Sequence, residues 1–139
     1  QEAKTKVANI FYWKSVPHDW LFPHMAGAVH HGGAGTTATS LRHALPTLVV
    51  PFGGDQPFWA ERVYAAGCGP KAIPRDKLTA ENLAEGLRAL ISNPEYTRNA
   101  ACIGEALRNE HGCANAADLI EKAVWDWENG NPAQDVMNI

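Results

Sequence analysis

Ala28-Val29-His30-His31-Gly32-Gly33-Ala34-Gly35-Thr36-Thr37 joins an apolar entry, a histidine pair and a small-residue loop, then runs into the helical sequence Ala38-Thr39-Ser40-Leu41-Arg42-His43-Ala44-Leu45. A strand that stops at a glycine loop and restarts as a helix leaves backbone N–H groups unpaired at the helix start, with the positive end of the helix dipole behind them. Such an end accepts an anion, and a phosphate fits it. Glycines let the backbone approach a ligand where a Cβ would block it. Thr36 and Thr37 add hydroxyl donors at the helix entrance. The competing reading is an ordinary glycine turn.

Outward from this stretch, short apolar runs alternate with helical patterns, as in a parallel sheet flanked by helices. The expected order begins with a strand at residues 7–13, a short helical turn at residues 18–25 carrying Trp20, Leu21 and Phe22 inward, and a strand at residues 27–30. A helix from Thr36 to Leu45, a buried strand at residues 47–51 and a second polar loop, Phe52-Gly53-Gly54-Asp55-Gln56-Pro57, come next. A helix at residues 57–66 then precedes a weak last strand at residues 68–73. Three helices close the chain: one capped by Thr79, one opened by Pro94, and one over residues 114–128 with Leu119, Ile120, Ala123, Val124 and Trp127 along one side. Residues 129–139 lack any period and read as a flexible tail.

The chain has 139 residues, enough for one domain with one core. Its apolar content of 45% and charged content of 19% are those of a globular protein, and no apolar run approaches the length of a membrane span. A net charge of −3 with scattered Lys and Arg excludes a general field for nucleic acid, so any anion is bound locally. Cys68, Cys102 and Cys113 have neither metal-ligand nor redox spacing; an odd count fits a reducing, cytoplasmic compartment, with the cysteines as buried small apolar residues. The polar start at residues 1–6 without an initiator methionine reads as a piece cut from a longer chain.

In an open α/β sheet ligands sit at the carboxyl ends of the strands, which predicts that the loops at residues 31–37 and 52–57 lie side by side. If the first holds a phosphate, Asp55 and Gln56 can bind a polyhydroxyl group attached to it, because a carboxylate accepts from hydroxyls and an amide both donates and accepts. That pattern suggests a nucleotide sugar. His30 points away from His31 in an extended segment and reads as sheet-facing; His43 and His111 read as surface residues. The spacings of His18, His24 and His31 fit no standard zinc set, so no metal site is assigned. Trp13, Trp20 and Trp59 read as core or cleft wall.

Three motifs in order, Val16-Pro17-His18-Asp19-Trp20-Leu21-Phe22, then His30-His31-Gly32-Gly33-Ala34-Gly35-Thr36-Thr37, then Pro51-Phe52 with Gly54-Asp55-Gln56-Pro57-Phe58-Trp59, resemble the donor-binding half of sterol 3-beta-glucosyltransferases. These are UDP-dependent glycosyltransferases with two Rossmann-like domains facing across a cleft. The resemblance spans residues 7–124 and implies an α/β, Rossmann-like C-terminal half over residues 1–128, with the N-terminal acceptor domain and its catalytic histidine outside this chain. It implies that His31, Gly32, Gly33, Gly35, Thr36 and Thr37 hold the donor diphosphate, that Asp55 and Gln56 read the sugar, and that Ser15, Val16, Pro17 and His18 face the uracil. Relative to the plant secondary-metabolite branch, Ser15 replaces a tryptophan and Thr39 a glutamate that binds ribose, which leaves the ribose contact unassigned. The implied reaction is inverting transfer of glucose from UDP-glucose to a sterol-type lipid hydroxyl, with UDP-glucose as co-substrate and no metal or other cofactor.

No catalytic base is then expected among these residues, so the piece alone is expected to be inactive, to self-associate through surface meant for its neighbours, and in the full enzyme to lie peripheral to membranes. The alternatives are the donor domain of an antibiotic or other natural-product glycosyltransferase, a non-catalytic UDP-binding module, and a metal-binding or scaffolding domain.

Overall fold

Residues 9–130 are described by the computed structural model. In chain order they form α1 (His18–Leu21), a 3-10 turn (Phe22–His24), β1 (Ala28–His30), α2 (Ala34–Arg42), β2 (Thr47–Val49), α3 (Gln56–Ala65), a second 3-10 turn (Arg75–Lys77), α4 (Ala80–Ser92), α5 (Pro94–Asn109) and α6 (Gly112–Glu128). β1 and β2 pair in parallel, with Ala28, Val29 and His30 opposite Thr47, Leu48 and Val49. β2 is buried along its whole length, as a strand with helices on both faces must be.

Successive side chains leave a strand on opposite faces. Val49 joins Leu41 of α2, Ala60 and Val63 of α3, Cys68, and Ala100 of α5 in the core cluster. Leu48 faces α4 instead: a Cβ on Gly86 would stand 2.9 Å from Leu48 Cδ2, so the helix rests directly on the strand. α4 starts with a reciprocal cap in which Thr79 Oγ1 accepts from the Asn82 N–H and Asn82 Oδ1 accepts from the Thr79 N–H. Asn93 caps α5 through the Glu95 N–H, and Pro94 occupies the first turn where no N–H is needed. The α/β arrangement of a parallel sheet flanked by helices is therefore present.

Several expected elements take a different form. Residues 9–13 are not a strand, and Phe11 is 84% exposed; residues 7 and 8 of that expectation lie outside the described residues. β-branched and aromatic propensity was sound, but strand propensity acts only where a partner strand exists. Residues 68–73 run beside β2 without becoming a regular strand. The Thr47 N–H donates to Cys68 O at 2.9 Å and the Ile73 N–H to Val49 O at 3.0 Å, with Gly69 packed on the Thr47 carbonyl between them.

α2 begins at Ala34, two residues before the expected start, and ends at Arg42; Ala44 then adopts φ 59, which turns the chain into β2. α6 begins at Gly112, two residues before the expected start. Of the residues expected to face inward, Phe22 is buried but Trp20 is 57% exposed and stands edge-on to Trp13 at 6.1 Å. The apolar side of α6 is also exposed, and so are Cys102 and Cys113, whereas Cys68 is buried. Asn129 and Gly130 form a turn after α6, and the rest of the expected tail lies outside the described residues. Among the described residues no helix is long and apolar enough to cross a membrane.

Candidate functional site

Parallel pairing makes β1 and β2 end together, so the segments leaving them emerge at one edge. The Val50 N–H donates to His30 O at 2.8 Å, extending the pairing one step past β2. Gly32 turns the first segment at φ +89, a region open to glycine and rarely to other residues. A Cβ at Gly32 would also stand 2.5 Å from Val49 Cγ1 and 3.2 Å from the Gln56 carbonyl. The glycine loop and the first residue of α3 therefore pack closely at this edge.

Gly33, extended at φ −63 and ψ 143, stands at the N-cap of α2 and offers no side chain to close it. The first helical bond runs from the Thr37 N–H to Gly33 O at 2.9 Å, so the Ala34, Gly35 and Thr36 amides have no helical acceptor. They sit at the positive end of the helix dipole, and a Cβ on Gly35 would meet nothing within 4 Å. His31 beside them is exposed, and Thr36 is half-buried. Thr37 differs: it is 3% exposed, and its Oγ1 is buried without a partner. Thr39 Oγ1 donates back to Gly35 O at 2.8 Å and Ser40 Oγ to Thr36 O at 2.9 Å, so both hydroxyls serve the helix backbone.

At the second corner Asp55 occupies the N-cap position of α3 and is exposed. Its Oδ2 accepts from the Trp59 indole N–H at 2.9 Å. Gln56 Oε1 accepts from the Phe52 N–H at 2.8 Å and the Gly53 N–H at 3.2 Å, tying the loop to the first turn of the helix. Trp59, read from sequence as core or cleft wall, thus fixes the carboxylate; the four-residue spacing from Asp55 was the signal. The Arg75 guanidinium lies 4.7 Å from the Phe52 ring centre at the outer side of this loop.

Ser15, Pro17 and His18 are exposed and Val16 half-buried, with Pro17 at the N-cap of α1. The His18 ring stacks on Phe22 at 4.6 Å. His43 is not a surface residue: it is half-buried at the end of α2, 3.6 Å from the Asp19 carboxylate and edge-on to Phe22. A largely apolar groove of about 520 Å³ opens between α2, α3 and α5, lined by Gly35, Thr37, Leu41, Trp59, Val63 and Ile103 among others. Among the described residues no cluster of three or more His, Cys, Asp or Glu could hold a metal.

Residues 5–121 match the family described as erythromycin biosynthesis protein CIII-like, C-terminal domain. A sterol 3-beta-glucosyltransferase of Arabidopsis thaliana, UGT80B1, is 46% identical over 114 residues, which is 82% of this chain and 18% of that protein. The sterol 3-beta-glucosyltransferase of Kluyveromyces lactis is 46% identical over 105 residues, 76% of this chain and 8% of that protein. The chain thus spans less than a fifth of the length of these relatives.

Among solved structures, the glycosyltransferase VinC in complex with dTDP aligns with a TM-score of 0.72 and 31% identity over 76% of this chain and 27% of that one. The spinosyn forosaminyltransferase SpnP aligns at 0.81 and 23% identity over 89% of this chain and 33% of that one, a likeness of fold alone. With the two-loop edge, the family match and the glycosyltransferase neighbours agreeing, this chain belongs to the family of erythromycin biosynthesis protein CIII-like glycosyltransferase C-terminal domains.

Proposed function

We propose that this chain is the donor-binding part of an enzyme that transfers glucose from UDP-glucose to a sterol-type lipid hydroxyl with inversion. The observation that supports the reading is the close approach of the Gly32 turn to the start of α3, where a Cβ on Gly32 would stand 3.2 Å from the Gln56 carbonyl, with three α2 amides lacking helical acceptors just after that turn. The diphosphate sits on the amides of Ala34, Gly35 and Thr36 with His31 alongside. As the glycosidic bond breaks, negative charge grows on the diphosphate, and donors already aimed at it stabilise the transition state more than the ground state. The helix dipole supplies about 0.3–1 kcal/mol of this, and His31 and the amides supply the rest. The reading needs no bound metal.

Asp55, held by Trp59, presents its second oxygen to sugar hydroxyls. Gln56, with its carbonyl engaged by the loop, presents its NH2, so one group accepts and the other donates. Together they orient the anomeric carbon for attack. Ser15 to His18 face the uracil. The acceptor and the catalytic base belong to the part of the enzyme outside this chain.

The sterol acceptor is supported by identities of 44–46% to several sterol 3-beta-glucosyltransferases. A second reading, a natural-product glycosyltransferase using a dTDP-sugar, is favoured by the family match and by the VinC structure with dTDP. Calorimetric titration with UDP, UDP-glucose, dTDP and zinc separates these readings. UDP-glucose binding tighter than UDP is expected; preference for dTDP supports the second reading, and zinc binding without nucleotide binding refutes both.

A further inference from the structure

His30 takes no part in the ligand contacts assigned above, yet its ring is tied into the loop that makes them. Its Nδ1 lies 3.0 Å from the Gly32 amide nitrogen, which donates to it. An imidazole nitrogen that accepts carries no proton, so the ring is neutral with its hydrogen on Nε2. Nε2 is buried without a partner among the described residues, and the ring meets that of His31 edge-on with centroids 6.3 Å apart. The acceptor is thus offered by the last residue of β1 to the amide two residues on, where Gly32 takes its φ of +89 and packs on Val49 and Gln56. Burial, with the His31 and His18 imidazoles nearby, holds the His30 pKa down to about 4.

We propose that His30 is a positioning residue, a neutral Nε2–H imidazole whose Nδ1 fixes the left-handed step at Gly32 and so sets where the α2 amides and His31 point. This rests on the anion-site reading of the loop. The Gly32 amide, engaged by His30, is then not a ligand donor; the anion is left to His31 and the amides of Ala34 to Thr36. Protonation of Nδ1 would set a donor against the Gly32 N–H and release the turn.

Two substitutions separate positioning from bulk. His30→Asn keeps an acceptor close to the place of Nδ1, whereas His30→Leu keeps volume and removes it. Nitrogen-15 spectra of the His30 ring in the unsubstituted chain are expected to show a protonated Nε2 and a bare Nδ1, unchanged between about pH 8 and about pH 5. UDP affinity is expected to stay within about threefold in His30→Asn and to fall about tenfold in His30→Leu, the two variants melting alike. A protonated Nδ1, titration of the ring near its ordinary pKa, or equal UDP binding by the two variants would overturn the assignment. If the unsubstituted chain fails to bind UDP, the anion-site reading falls, and the ring spectrum with hydrogen exchange at the Gly32 amide still decides the His30 role: slow exchange that His30→Leu accelerates and His30→Asn does not supports it, and indifference refutes it.

Discussion

At the scale of single residues, the site depends on which ends of a few polar groups are already engaged. Asp55 lends one carboxylate oxygen to Trp59, and Gln56 lends its carbonyl to two loop amides. Asp55→Ala is expected to remove the preference for UDP-glucose over UDP while leaving UDP binding nearly intact; calorimetry showing equal losses for both ligands would refute the sugar assignment. Trp59→Phe keeps the ring and deletes the indole donor, which leaves the carboxylate free to rotate. It should weaken UDP-glucose by about fivefold, or about 1 kcal/mol, with UDP unchanged. What was legible at this scale is that Asp55, Gln56 and the His-Gly-Gly run stand on neighbouring loops, as strand order and residue type predict. The burial of Thr37 was not legible: the sequence puts it at the helix entrance, whereas α2 starts two residues earlier and Thr37 is 3% exposed.

Among the elements, α2 and α4 show two ways of ending a helix. α4 is closed by its own side chains, with Thr79 and Asn82 each satisfying an amide of the other. α2 follows Gly33, which has no side chain to cap it, and its first amides remain available. Thr79→Ala removes a cap that belongs to neither ligand loop, and a loss of about 1 kcal/mol in urea unfolding with unchanged UDP affinity is the expected result. Helices were read well because their evidence is local: Thr79 before an apolar repeat, Pro94 after a cap, leucines at three- and four-residue steps. Strands were read less well because pairing is not local. Residues 9–13 have the composition of a strand without being one, whereas Cys68 to Ile73 hydrogen-bond to β2 at both ends but are kept irregular by the approach of Gly69 to Thr47.

For the whole molecule, two properties follow from what is buried and what is not. The His30 pKa is lowered to about 4 by burial, and next by His31 and His18. Above the ordinary histidine pKa of about 6.5 the ring is neutral folded or unfolded; as pH falls below that, the unfolded chain takes the proton first, so stability declines until about pH 4. Urea midpoints measured across that window should drop, and less steeply in His30→Asn. Exposure has the opposite origin. Leu119, Ile120 and Trp127 on α6 are 65%, 65% and 80% exposed, an apolar helix side of the kind that marks a contact surface. Its periodicity was visible in the sequence, but amphipathic spacing shows only that one side avoids water, not which surface covers it. A second copy can cover it, so the sedimentation coefficient is expected to rise with protein concentration. Ile120→Glu combined with Trp127→Glu charges that side while leaving both ligand loops intact, and it should flatten the concentration dependence with UDP affinity unchanged. A sedimentation coefficient that stays constant over the concentration range in the unsubstituted chain would show that the α6 face does not drive association.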